Sequence, residues 1–114
     1  MTEYENLEIF AKTTHQYELT FTENGIAIDL TGWTVYFVVK LNQEDSDANA
    51  KIKKTITSHS NATLGETLIS LSSSDTDLSG SHYYEISYLD DDSNQDVLLF
   101  GRINFRKPVL DTRS

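Results

Sequence analysis

One segment of this chain, residues 29–41, restricts its fold more than any other. A turn signal, Asp29-Leu30-Thr31-Gly32, runs directly into a stretch in which every second side chain is large and apolar. The alternating side chains are Trp33, Val35, Phe37, Val39 and Leu41. Because successive side chains of a strand point to opposite faces, this spacing places all five on one side. The segment is therefore predicted to be the central strand of a β-sandwich.

The same alternation continues through most of the chain, whereas helical spacing is almost absent. The further apolar faces are Leu7, Ile9 and Ala11; Tyr17, Leu19 and Phe21; Ile26, Ile28 and Leu30; Ile52 and Ile56; Thr67, Ile69 and Leu71; His82, Tyr84, Ile86 and Tyr88; and Leu99, Gly101, Ile103 and Phe105. Turn-forming residues separate these runs and leave no room for crossover helices. We predict one all-β domain over residues 1–114, an immunoglobulin-like β-sandwich of seven to eight mostly antiparallel strands.

Two details of strand pairing also follow from the pattern. The turn sequence Glu23-Asn24-Gly25 separates the runs 17–21 and 26–30, so these two runs are predicted to form a hairpin. Residues 51–57 alternate isoleucine with lysine and threonine, which is typical of an edge strand with one solvent-exposed face.

The charge of the chain limits its partners. Nine Lys and Arg residues stand against 18 Asp and Glu, for a formal net charge of -9. Such a surface repels phosphate backbones and anionic lipid, so neither nucleic acid nor membrane is expected as a partner. The cations cluster in Lys51-Ile52-Lys53-Lys54 and at Arg102, Arg106 and Lys107, but alternation divides them between strand faces. Solvated strand positions are the main interpretation, and a patch for phosphate or a partner is the alternative.

Other compositional features bear on compartment and stability. The chain has no cysteine, which excludes disulfides and thiolate zinc sites, so its stability must come from packing. Its N-terminus is acidic and has neither a basic segment nor an apolar run. No signal peptide is therefore expected, and the protein is predicted to be made in a cytoplasm.

The strongest chemical signal lies in the acidic loop of residues 90–96. Oxygen ligands recur there at alternate positions, Asp90, Asp92, Asn94 and Asp96. This spacing lets carboxylates converge on calcium, but the sixth position is Gln95 and the twelfth is Gly101, where a calcium loop has Gly and Glu. An exposed acidic hairpin loop is the main interpretation, and a calcium site is the alternative.

A second acidic loop contains Glu44, Asp45 and Asp47. It is expected to be solvated, and the alternatives are that it meets the first acidic loop at one end of the sandwich or binds a basic partner.

No group of residues indicates catalysis or a cofactor. His15, His59 and His82 are too scattered to suggest a zinc triad, and His82 is predicted to be a buried structural residue. The serines lack the strained Gly-x-Ser-x-Gly setting that activates a nucleophile. We therefore predict no catalytic residues, no cofactor and no enzymatic activity.

Four large apolar side chains fall on the solvent side of the alternation. They are Tyr36, Tyr83, Leu98 and Phe100. Exposed aromatic patches often mark interfaces, so these residues are predicted to serve self-assembly or docking to a neighbouring protein. Cover by another part of the chain is the equal alternative.

Several segments, in this order and spacing, resemble those of a known family. They are Tyr17-Glu18-Leu19-Thr20-Phe21; Ile28-Asp29-Leu30-Thr31-Gly32-Trp33-Thr34-Val35-Tyr36-Phe37; Asp47-Ala48-Asn49-Ala50 before a Lys/Thr-rich strand; Leu71 with Asp75-Thr76-Asp77-Leu78; and Gly80-Ser81-His82-Tyr83-Tyr84-Glu85-Ile86. Across roughly residues 7–107 the chain resembles the immunoglobulin-like N-terminal domain of phage baseplate upper proteins and related short phage tail proteins. One departure is His82, where such domains often have Tyr.

The resemblance implies a non-enzymatic phage or prophage structural protein, made in the host cytoplasm and located in the virion. It would act as an attachment or adapter module of the tail, baseplate or virion surface. Its implied partners are other tail or baseplate proteins, together with further copies in a homo-oligomer. The alternative is a carbohydrate-binding β-sandwich module in host adhesion, in which Tyr36, Tyr83 and Phe100 stack on sugar rings.

Overall fold

The computed structural model of the protein describes residues 3–109, with the backbone alone for Glu3. Within this range the strands are β1 (Glu3–Tyr4), β2 (Leu7–Phe10), β3 (His15–Thr20), β4 (Thr22–Glu23), β5 (Ile26–Ala27), β6 (Thr34–Lys40), β7 (Ile52–Ile56), β8 (Glu66–Leu71), β9 (Gly80–Leu89) and β10 (Gln95–Arg106). Two short 3-10 helices, Asp47–Asn49 and Ala62–Leu64, complete the described elements. Neither has the length or apolar character to span a bilayer.

Most strands belong to one sheet, called sheet A, with the order β1-β10-β9-β6-β7 and with β2 also paired to β10. β6 lies between β7 and β9, and β7 forms an edge, so both predicted positions are confirmed. β3 and β8 form a second sheet, sheet B, while β4 and β5 form a small hairpin. β1 and β2 run parallel to β10, and the other strand pairs are antiparallel.

This pairing is that of an immunoglobulin-like sandwich, with β3 and β8 in one sheet and β6, β9 and β10 in the other. Among the described residues, β2, β3 and β6 to β10 are the strands of four residues or more. The predicted all-β sandwich is therefore confirmed. The predicted domain over residues 1–114 also includes 1–2 and 110–114, which lie outside the described residues.

The core lies between the two sheets and is centred on β6. Val35, Phe37 and Val39 are fully buried, as the alternation predicts. The ends of the alternating set differ from this centre. Trp33 is partly buried and stacks on Tyr88, with 4.8 Å between ring centroids. Leu41 is 46% exposed because it follows the last residue of the strand.

The predicted hairpin between residues 17–21 and 26–30 is wrong. β3 pairs with β8 instead, with Tyr17 opposite Ile69. The Asn24-Gly25 turn closes only the two-residue strands β4 and β5, and both residues have positive φ, 54° and 79°. Such a turn suits a tight two-residue hairpin. The local sequence therefore predicts the turn correctly but not the partner of the strand that precedes it.

Residues 28–33 carry the chain from sheet B across to sheet A. Leu30 is fully buried in this crossing, and its N–H donates to the carbonyl of Ala62 at 2.8 Å. Ile26 was predicted to share the inward face of Leu30 but is 72% exposed, because it belongs to the small hairpin outside both sheets.

The N-terminal strands are fastened to the rest of sheet A by a hydrogen bond from the core. The hydroxyl of the buried Tyr84 donates to the carbonyl of Glu5 at 2.6 Å. A Cβ atom at Gly101 would clash with that same carbonyl oxygen. Glycine at position 101 thus allows the backbone between β1 and β2 to approach Tyr84.

Candidate binding surface

The outer face of sheet A carries the side chains that alternate with the core residues. On β6, the outward side chains Tyr36, Val38 and Lys40 alternate with the three buried ones. Tyr36 pairs with Ser87 of β9, and Lys40 pairs with Tyr83. Because neighbouring strands are about 4.8 Å apart, this pairing brings side chains that are distant in sequence into one surface.

β7 and β10 complete this outer face. On β10, Phe100 lies opposite Glu85, and Arg102 lies opposite Tyr83. On the other side of β6, the edge strand β7 contributes Lys53. Since all of these side chains come from strands rather than loops, their spacing is fixed by the pairing of the sheet.

Together these side chains form a shallow concavity of about 740 Å³, which we call the outer groove. Its aromatic lining includes Tyr36, Tyr83 and Phe100, and its charged lining consists of Lys40, Asp47, Lys53 and Glu85. Phe100 is 40% exposed, and its ring meets the edge of Tyr4 with 5.2 Å between centroids. At the rim, the Arg102 guanidinium lies 5.0 Å from the centroid of the Tyr83 ring, a cation–π geometry.

The structure brings together three of the four residues predicted to form an interface. Tyr36, Tyr83 and Phe100 line the outer groove, together with Gln43 and Asp47 of the loop that follows β6. Leu98 was predicted to point outward, and that expectation is wrong, because it packs against the core. A register shift between Val97 and Leu99 inserts one extra residue into β10. Such a bulge reverses the facing of the residues before it.

The groove also brings together positive charges that the sequence pattern predicts to lie on different strand faces. Alternation does separate Lys53 from Lys54, which forms an ion pair with Asp75 at 2.9 Å. However, the pairing of β7, β6, β9 and β10 brings Lys53, Lys40 and Arg102 to the same outer face. The signal for this cluster is the register between strands, which a single sequence does not reveal.

These cations differ in their partners. The ammonium of Lys40 lies 2.8 Å from the carboxylate of Asp47. This hydrogen bond, with the charges of Lys40 and Lys53, lowers the pKa of Asp47. Lys53 and Arg102 form no ion pair with any carboxylate of the described chain. The outer groove can therefore attract an acidic occupant.

The calcium candidates lie in the turn between β9 and β10, where the carboxylates serve the turn itself. One oxygen of Asp90 accepts the N–H groups of Asp92 and Asn94, at 2.9 and 2.8 Å. Asp96 accepts the N–H of Val97 at 2.8 Å. The hydrogen bonds to Asp90 lower its pKa. Across residues 3–109, no three His, Asp or Glu side chains converge in a way that could hold a metal ion.

The two acidic loops lie at opposite ends of the sandwich, so the alternative in which they meet is wrong. Thr34, at the start of β6, pairs with Leu89, directly before the loop of residues 90–94. Lys40, at the far end of β6, directly precedes the loop that contains Glu44 and Asp45. The length of β6 therefore separates them.

The three histidines occupy separate structural positions. His59 bridges the hydroxyl of Thr67 and the carbonyl of Trp33, both at 2.8 Å. His82 is buried, as predicted, with its ring edge-on to Phe105. His15 stacks on the neighbouring Tyr17. These contacts give each imidazole a packing or hydrogen-bonding role.

Comparison with known proteins adds no assignment. No protein-family model and no curated protein matches this sequence. The outer groove is therefore interpreted from its own chemistry.

Proposed function

We propose that this protein is a non-enzymatic structural component of a phage or prophage particle, an attachment or adapter module of the tail, baseplate or virion surface. The observation that carries the proposal is the outer groove, where Tyr36, Tyr83 and Phe100 from three strands face one concavity. Aromatic residues and arginine are enriched in protein interfaces, and Arg102 stands at the rim. The resemblance across roughly residues 7–107 supplies the phage context.

Such a module acts by holding its binding side chains in place for a partner. A paired sheet presents the groove side chains at fixed spacing, so a partner binds without reorganising the backbone. Tyr83 and Phe100 supply apolar contact area, while Lys53 and Arg102 favour approach of an acidic surface. The partners are other tail or baseplate proteins of the same particle, together with further copies of this chain.

Incorporation into particles tests this proposal. The chromosomal gene is replaced by a Tyr36→Ser/Phe100→Ser variant, and gradient-purified particles are probed with antiserum against the chain. Wild-type chain is expected in the particles, and the groove variant is expected to be lost from them. Phe10→Ser, which removes an exposed aromatic of β2 outside the groove, is the control and should be retained. Absence of wild-type chain from the particles would overturn the proposal.

The second candidate is a carbohydrate-binding module, and one observation favours it. The three aromatic rings share their groove with polar groups suited to hydroxyl recognition, among them Glu85, Ser87 and Gln95. Pockets that combine aromatic walls with a few polar groups suit small ligands such as sugars. Under this hypothesis the aromatic rings stack on sugar rings, and the polar side chains fix the orientation of the sugars.

A glycan array separates the two candidates. Under the carbohydrate hypothesis, the wild-type chain binds a defined set of glycans and Tyr83→Ala abolishes the signal. Phe10→Ala again controls for general loss of exposed aromatic surface. A blank array, with calcium present and absent, would contradict carbohydrate binding and leave the structural role.

A further inference from the structure

One end of the sandwich, which we call the acidic end, carries carboxylates without neighbouring cations among the described residues, whereas Asp47 and Asp75 at the opposite end are paired with lysines. The acidic end comprises the loops at residues 21–33 and 90–94. The loops touch, since a Cβ atom at Gly32 would lie 3.3 Å from that of Asp91. The same end includes Glu23, Asp29, Asp90 and Asp92, and these two loops contain no Lys or Arg.

The described cations lie toward the other end or on the outer groove. Lys51 and Lys53 are exposed at and beside the start of β7, and Arg102 pairs with Tyr83. Lys40 pairs with Tyr83 from the opposite side. The carboxylates lining the groove are Asp47, which is already bound to Lys40, and Glu85. The acidic end and the rest of the molecule therefore differ in local charge, although the overall charge is -9.

We infer that the occupant of the outer groove is the acidic end of a second copy of this chain, so that copies associate head to tail. The contact places the β9–β10 turn of one copy, with Asp91 and Asp92, against Lys51, Lys53 and Arg102 of the next. This inference rests on the proposed function, because it names the partner of the same groove.

The dimensions of the two surfaces agree. The groove crosses β7, β6, β9 and β10, a width of about 14 Å at the usual strand spacing, which is wide enough to admit a hairpin end. The β9–β10 turn is the end of a two-stranded hairpin, about 5 Å across its backbone. A hairpin end therefore enters the groove lengthwise, with its backbone against Tyr83 and Phe100.

Head-to-tail contact has a definite consequence for assembly. Each copy uses two different surfaces, so association continues into a chain or closes into a ring, instead of stopping at a symmetric pair. Since the attraction joins exposed charges, it weakens with salt, as the Debye length falls from about 10 Å at 0.1 M to about 3 Å at 1 M.

Light scattering with two complementary variants tests the inference. Asp91→Lys/Asp92→Lys gives the acidic end a positive charge, and Lys51→Glu/Lys53→Glu gives the groove a negative charge. Asp91 and Asp92 are used because Asp90 holds the turn together. Glu18→Lys/Asp77→Lys repeats the first charge change at exposed positions outside both surfaces. Circular dichroism confirms that each variant is folded.

The inference predicts a concentration-dependent mass above the 12.9 kDa monomer for wild type and for the control, decreasing with salt. Each variant alone is expected to associate at least about tenfold more weakly than wild type, because like charges then face each other. An equimolar mixture of the two variants restores association. One partner retains the natural acidic end and the other retains the natural groove.

Three results would overturn the inference. These are a monomeric wild type at low salt, an acidic-end variant that associates as wild type does, or a mixture that stays monomeric. The second result would indicate groove-to-groove pairing. The proposed function is judged separately, by loss of the Tyr36→Ser/Phe100→Ser chain from particles, so failure of self-association does not decide it.

Discussion

Phe37 shows how the alternation of a single strand becomes stability. Its ring is fully buried between Tyr17 and Tyr84, with ring centroids 6.3 Å apart in each case. Trp33, in the same alternating set, stacks on Tyr88 but is only partly buried. The residue that looks most prominent in the sequence is therefore not the one with the most complete packing.

Replacement of these two residues by alanine should separate their contributions. Phe37→Ala is expected to lower the free energy of unfolding by about 3–5 kcal/mol, the usual cost of removing a buried aromatic ring. Trp33→Ala should cost less, because solvent already reaches part of the indole. Urea unfolding followed by circular dichroism measures both, since Trp33→Ala removes the only tryptophan. An equal or greater loss for Trp33→Ala would contradict this ranking.

Tyr84→Phe tests a single hydrogen bond. The change removes the hydroxyl that donates to the Glu5 carbonyl, and because Glu5 is exposed, the expected loss is that of one hydrogen bond, about 0.5–1.5 kcal/mol. Because the bond fastens the N-terminal strands, hydrogen exchange should accelerate most in β1 and β2. Tyr36→Phe, a change on the outer face, is the control. Unchanged exchange in β1 and β2 would show that Tyr84 does not hold them.

At the scale of elements, the sequence indicates which segments form strands but not how they pair. The alternation in β6, β8 and β9 identifies their buried faces because each strand has one face in the core. The partner of β3 depends on a contact with β8, about fifty residues later, which no local pattern encodes.

The candidate site shows the same limit. Tyr36, Tyr83 and Phe100 are predictable as outward residues because their strands alternate regularly. Leu98 is not, since the extra residue of the β10 bulge leaves no signal in the hydrophobic pattern. The basic rim was also missed, because Lys53 and Arg102 meet only through the register of four strands.

The connection into β8 provides a prediction for an element boundary. Gly65 has a φ of 74°, and an added Cβ atom would clash with the carbonyl oxygen of Phe21. Gly25 has a similar φ of 79°, but its added Cβ atom would meet open space. Gly25→Ala should therefore cost only the left-handed strain, about 1–3 kcal/mol, whereas Gly65→Ala should cost more. Thermal unfolding compares them, and equal losses would contradict a steric role for position 65.

At the scale of the whole molecule, we expect stability to fall at both acidic and alkaline pH. Hydrogen bonds lower the pKa of Asp29, Asp47, Asp75 and Asp90. Each folded carboxylate thus favours its ionised form, so its contribution is present above the ordinary pKa of 3.8 and is lost as pH falls through the lowered folded value. Acidification also brings the net charge of -9 to zero near the pI of about 4.5, so charge repulsion is relieved before this loss begins.

The alkaline side depends on Tyr84, whose pKa is raised from 10.0 to about 12, first by burial and then by nearby charge, chiefly that of Glu5. The folded protein favours the protonated phenol, so this contribution is complete below pH 10 and is lost as pH rises toward 12. Ionisation would also break the hydrogen bond to Glu5, because a phenolate cannot donate.

We therefore expect the urea concentration at the unfolding midpoint, plotted against pH, to reach a plateau between the two transitions. It should decline below pH 3.8 and again above pH 10. Tyr84→Phe should lower the plateau but make the alkaline decline shallower, because the variant has no hydroxyl at position 84 to ionise. Tyr36→Phe, the outer-face control, should leave the wild-type alkaline decline in place. If Tyr84→Phe declines as steeply as wild type between pH 10 and 12, other groups control alkaline unfolding. Tyr17 and Tyr88, which are partly buried and whose pKa values are also raised first by burial, would then be the next residues to replace.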